Sequence, residues 1–139
     1  MVDPTDDIRR RVLLEASLLT HHEWTTIVMA FYGTIILHHP QLARHFDGVN
    51  IDFQVQKLAV VLTAVAREFP DRVAMDRVLF HVGVTHVDRG IHRKDFTEFI
   101  DLLASVLSRK TLLATPDEAY AVWYQELSAI ATTMLLTAP

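Results

Sequence analysis

The chain has 139 residues, half of them hydrophobic and 22% charged, which is one domain's length with enough apolar material to bury roughly two-thirds of the unfolded surface. Its net charge of −4 leaves no cationic surplus for phosphates, so nucleic acid is not expected as a partner. No apolar run reaches the roughly 20 residues that span a bilayer, so no membrane partner is expected. With no cysteine, disulfides and thiolate-held metals are excluded. The N-terminal Met1-Val2-Asp3-Pro4 has neither the basic nor the apolar region of a secretory signal, and a cytoplasmic location is the expectation.

Asp3-Pro4 followed by Asp6 and Asp7 predicts a helix start, because aspartate caps free amides and proline fits the first turn. That helix is expected to run to about Leu19 with Ile8, Val12, Ala16 and Leu19 inward. The next spans about His22 to Leu37, apolar over an arc that includes Trp24, Ile27, Val28, Phe31, Tyr32, Ile35 and Ile36. So wide an arc implies contact on more than one side. His39-Pro40 interrupts the pattern, since the residue before a proline disfavours helical backbone, and a short helix from Pro40 to about Phe46 follows.

Gly48 and Asn50 mark a loop, after which a helix from about Asp52 to Phe69 carries Leu58, Val61, Leu62 and Val65. Pro70 ends it, and Asp71 opens a helix whose stripe is Met75, Val78, Leu79 and Val82, stopping before Gly90. From Arg93 to Arg109 the period is the cleanest in the chain, with Phe96, Phe99, Ile100, Leu103, Val106 and Leu107 on one face. Thr115-Pro116-Asp117-Glu118 is a capping signature, and the last helix runs from it almost to Pro139. No repeat or linker interrupts this single all-α domain of residues 1–139. Apolar faces on its last two long helices are expected to offer a homodimer surface.

Eight histidines stand at positions 21, 22, 38, 39, 45, 81, 86 and 92. His86 alone continues an apolar helical stripe, four residues beyond Val82, so its imidazole faces the core. There it must hydrogen-bond internally or coordinate something. The others fall at helix ends or on polar faces. His45 differs slightly in lying beside Phe46, and the pair His38-His39 has no third ligand at a spacing that would complete a metal site.

Several segments, in order, are similar to those of one family. Phe31-Tyr32, then His39-Pro40-Gln41-Leu42, then His45-Phe46 resembles a distal Phe-Tyr pair, a proline corner and a haem-stacking phenylalanine. Gln54-Val55-Gln56-Lys57-Leu58 resembles a distal helix, and Thr85-His86-Val87-Asp88-Arg89-Gly90-Ile91 a proximal stretch. Phe96 and Trp123 fall where the aromatic anchors of the last two long helices are expected. The whole chain thus resembles the globins of the bacterial single-domain and flavohaemoglobin-like branch.

The resemblance implies a three-over-three helical sandwich around haem b, with His86 as the iron's proximal ligand. It implies a pocket of Tyr32, Phe46, Gln54, Leu58, Leu62, Val82, Ile91 and Phe99, with Lys57 within reach of a propionate. Gln56 competes with Gln54 for the distal position. Dioxygen, carbon monoxide and nitric oxide are the implied ligands, because a phenol and an amide can donate to a diatomic molecule held on the open iron face.

Reversible oxygen binding, nitric oxide dioxygenation and gas sensing within a larger signalling protein all remain open. For the second, the flavohaemoglobin pattern places a tyrosine where this chain has Phe96, and its proximal glutamate has no evident counterpart. Nor is there a Gly-x-Gly-x-x-Gly loop of a nucleotide-binding domain. Any turnover is therefore expected to draw on an external reductase.

Overall fold

The computed structural model describes residues 4–67 and 93–137. Among them are six α-helices: α1 (Pro4–Ser17), α2 (His21–His38), α3 (Pro40–Ala43), α4 (Ile51–Ala66), α5 (Arg93–Lys110) and α6 (Pro116–Thr137), with one turn of 3₁₀ helix at Arg44–Phe46. The expected helix from Asp71 to Gly90, with Val82, His86 and Ile91, lies outside the described residues.

Helix boundaries follow local chemistry. Thr20 and Glu23 form a reciprocal capping box at the start of α2. Thr115 and Glu118 do the same for α6. Both glutamates consequently sit below the ordinary carboxylate pKa, chiefly because the threonine amide donates to the ionised form. At the other end of α2, His39 leaves helical backbone (φ −132°) while its N–H still donates to the Ile35 carbonyl. Pro40, whose missing donor is harmless in a first turn, then opens α3.

Gly48, at φ +73°, makes the left-handed turn that an L side chain rarely adopts. The Asn50 side chain accepts from Phe53 N to cap α4. Between the Pro40–Phe46 segment and α4 the chain bends by 101°.

Helix α2 packs against α4, α3 and α5, α5 lies along α6, and α1 rests on α4 and α6. The contact on several sides expected of α2 is present. Its largest residues make the links: Trp24 meets Trp123 of α6 edge to face at 6.4 Å, and Phe31 meets Phe99 of α5 at 4.9 Å. Trp24, Phe31, Leu62 and Trp123 are all fully buried, and truncating a residue of this size in such a core costs roughly 3 to 5 kcal/mol.

The buried arc of α2 is narrower than its sequence pattern suggests. Ile36 is half exposed rather than inward, and Met29 and Leu37 are exposed beside it. No charged residue occurs between Glu23 and Arg44 to mark the outer side.

Two side chains fasten the N-terminal helix to distant parts of the chain. Arg9 Nε donates to Glu126 of α6. The Glu15 carboxylate accepts from the backbone N–H groups of Leu112 (2.7 Å) and Leu113 (2.7 Å) in the loop between α5 and α6.

Candidate functional site

The site begins with Tyr32. Its neighbours along the inward face of α2, Val28, Phe31 and Ile35, are each 0% exposed. The phenol is thus held by packing, and Tyr32 is itself buried. Its ring stands edge to face on Phe46 at 5.2 Å and lies 5.4 Å from Phe31, which in turn contacts Phe99. Three of the expected pocket residues, Tyr32, Phe46 and Phe99, are therefore joined in one aromatic cluster where α2, the 3₁₀ turn and α5 meet.

The Tyr32 hydroxyl has no hydrogen-bond partner among the described residues, whereas a buried phenol ordinarily finds one. Burial raises its pKa well above the ordinary value. The group is therefore protonated, and a donor, throughout the physiological range.

Helix α4 supplies the second wall. Val55, Ala59 and Leu62 are buried, and Gln54, Leu58 and Val61 are half-buried. Gln56 is exposed, and its Oε1 lies 2.8 Å from His21 Nε2. The two glutamines are thereby separated: Gln56 is engaged by the start of α2, and Gln54 remains on the side of Leu58. Lys57 is exposed with its ammonium 4.7 Å from the centre of the Phe53 ring, a cation–π contact on the outer surface.

His45 precedes Phe46, and its Nε2 is sealed from solvent without a hydrogen bond. It lies 3.4 Å from Asp95 Oδ1, within ion-pair distance but outside hydrogen-bond geometry. Phe96, next to Asp95, is buried. Val82, His86 and Ile91 lie outside the described residues, so the described part of the site is the side carrying Tyr32 and Gln54. The dimer faces expected on the last two long helices are not marked by large exposed apolar side chains among the described residues. Those occur on α1, α2, α4 and the α5–α6 loop.

Sequence reasoning did not find the Gln56–His21 contact, the orphaned His45 nitrogen or the Glu15 anchor. Each depends on partners far apart in the chain. The Thr20-x-x-Glu23 signature was present in the sequence and would have placed the start of α2 one residue earlier.

The globin family profile matches residues 29–134, a span that includes α2 from Met29 onward, the corner, α4, α5 and most of α6. The chain belongs to the globin family. No curated protein and no solved structure matches it.

Family membership implies a haem and a diatomic gas as ligand. The described residues fit that group in three respects: a protonated phenol without a hydrogen-bond partner among them, an aromatic wall of Phe46 and Phe99, and a half-buried amide and leucine on α4.

Proposed function

We propose that this globin binds dioxygen reversibly on haem b, with His86 as proximal ligand and Tyr32 and Gln54 as distal donors. When bound, the haem supplies an iron whose open face takes a diatomic gas. Tyr32 then offers its hydroxyl proton to the gas, and Gln54 offers its amide N–H. Phe46, Leu58, Leu62 and Phe99, with Val82 and Ile91, would be the apolar residues to hold the macrocycle and exclude water. Lys57, exposed beside Phe53, would be the residue to hold a propionate.

The observation that carries this reading is the Tyr32 hydroxyl, protonated and without a hydrogen-bond partner among the described residues, in an aromatic corner with Phe31 and Phe46. A phenol needed only for packing would be served as well by phenylalanine, as at the adjacent Phe31.

Oxygen binding is favoured over a dedicated nitric oxide dioxygenase because Phe96 is buried and has no hydroxyl with which to polarise the proximal histidine. Turnover of nitric oxide would require an external reductase, and a sensor role would require a signalling partner. The primary test is the absorption spectrum of the haem-reconstituted chain. A Soret band that is lost in His86→Ala and restored by added imidazole supports the assignment. A band unchanged by His86→Ala refutes it.

A further inference from the structure

The 3₁₀ turn that carries Phe46 has little backbone structure to hold it in place. It is a single turn, closed by a 3.3 Å bond from Asp47 N to the Arg44 carbonyl, and Gly48 turns the chain away directly after it. Bonds closing so tight a turn have poorer geometry than those of an α-helix. Its position therefore depends on side chains: Phe46 packs on Tyr32 of α2, and His45 approaches Asp95 in the first turn of α5.

The His45–Asp95 contact stops short of a hydrogen bond. Its 3.4 Å separation is about 0.5 Å longer than a charge-assisted hydrogen bond. His45 Nε2 is sealed from solvent with no hydrogen-bond partner, a costly condition for a polar atom. The two side chains are only 11% and 18% exposed, so an ion pair between them is screened less than one at the surface. Among the described residues no other charged group lies within ion-pair distance of the imidazole. Helix α3, which adjoins the turn, is Pro40, Gln41, Leu42 and Ala43 and has no titratable group. From α2 come Tyr32, kept protonated by burial, and His38 and His39 at its end. The remaining charges on neighbouring elements are exposed: Arg44 and Asp47 in the turn, Asp52 and Lys57 of α4, and Lys94 and Glu98 of α5.

We propose that Asp95 and protonated His45 form a latch that holds Phe46 in the aromatic wall, so that retention of the bound haem depends on the His45 proton. This rests on the haem reading given above. Asp95 lies one turn before Phe99 on α5, and His45 directly precedes Phe46. The pair thus ties the turn carrying one aromatic wall residue to the helix carrying another. His45 is a positioning residue in this role, since it acts through Phe46. The direction follows from charge: an imidazolium attracts the carboxylate, so the latch is closed on the acid side and released as pH rises and the ring loses its proton. The protonated ring has a donor on each nitrogen, so pairing through Nε2 leaves Nδ1 to offer a bound group.

The test is the rate at which the full haem-loaded chain gives up haem to an excess of a scavenging apoglobin, read by absorbance. Wild type, His45→Gln, Asp95→Asn and the double variant are compared at about pH 5.5 and about pH 8.5, on either side of the range in which imidazoles change charge. At the lower pH each single substitution should speed haem loss roughly three- to tenfold, between the effect of an exposed ion pair and that of a buried charged hydrogen bond. The double variant should be no faster than the faster single one. At the higher pH Asp95→Asn should change the rate by about twofold or less. Glu98→Gln, which removes an exposed acid from the same helix, should leave it unchanged at both. The proposal is overturned if the two substitutions act additively, if Asp95→Asn has the same effect at both pH values, or if Glu98→Gln matches it. The same cycle read by urea unfolding needs no haem. A chain without a Soret band would refute the haem reading, while coupling of His45 to Asp95 in unfolding, present at the lower pH and lost at the higher, still decides whether the latch exists.

Discussion

Tyr32→Phe removes one oxygen atom and leaves the ring packing on Phe31 and Phe46 intact. The hydroxyl has no hydrogen-bond partner among the described residues, so its loss should change the unfolding free energy of the haem-free chain by less than about 1 kcal/mol, toward stability if at all, since only broken hydrogen bonds carry a cost. In the haem-loaded chain, on the proposed function, the same hydroxyl would donate to a partly charged gas ligand. A hydrogen bond of that kind is worth about 1.5 to 3 kcal/mol, and each 1.4 kcal/mol is about a factor of ten in rate. Oxygen dissociation should therefore accelerate roughly 10- to 100-fold, read by stopped-flow displacement with carbon monoxide, while denaturant unfolding of the haem-free chain barely changes. The reverse outcome refutes the reasoning. If Tyr32→Phe costs well over about 1 kcal/mol without haem and leaves the oxygen off-rate unchanged, the hydroxyl has a partner within the protein and is structural.

Gln54→Leu should also accelerate oxygen release, whereas Gln56→Leu should not, because Gln56 is held at His21; equal effects from both would remove the basis for preferring Gln54. Glu15→Ala abolishes the acceptor for two backbone N–H groups at an exposed site and should cost about 1 to 2 kcal/mol by urea unfolding; an unchanged midpoint would show that the α5–α6 loop is held by other contacts. The hydrogen bond from Tyr120 to the Asp101 carboxylate, with burial and nearby charge as smaller causes, raises the Tyr120 pKa from 10.0 to about 12. Because the folded value is the higher one, this contribution to stability is complete below pH 10 and is lost as pH rises toward about 12. Asp101→Asn should bring the tyrosinate absorbance titration back toward its ordinary midpoint, and no movement would place the cause elsewhere.

The sequence made most helix boundaries readable because they rest on neighbours in the chain. Pro40 breaks α2, Gly48 and Asn50 carry the turn into α4, and the Thr115–Glu118 box starts α6, all within a few residues of the boundary they set. Which face of a helix turns inward was harder to read where polar residues were absent. Along α2 no charge marked the outer side, and Ile36 was grouped with the core although it is half exposed. The aromatic cluster of Tyr32, Phe46 and Phe99 was anticipated only through the family's motif order, since nothing local in the sequence brings those three positions together.

The remaining irregularities in the described fold concern unpaired polar groups. Native cores satisfy nearly all such groups, and departures collect at functional sites. Trp24 Nε1 and His45 Nε2 are sealed without hydrogen bonds, and the Tyr32 hydroxyl has none among the described residues. Trp24 lies eight residues before Tyr32, about 12 Å along the helix axis, and lines the small cavity beside Trp123. Tyr32 packs on Phe46 and His45 precedes it in the chain, and neither borders that cavity. Next to Phe46, His45 Nε2 has the Asp95 carboxylate at 3.4 Å but no hydrogen bond, and the Tyr32 hydroxyl has no hydrogen-bond partner among the described residues, so both retain the capacity to bond to a bound group. On the proposed function a haem would supply such a group, and Tyr32 and His45 would be the residues to meet it.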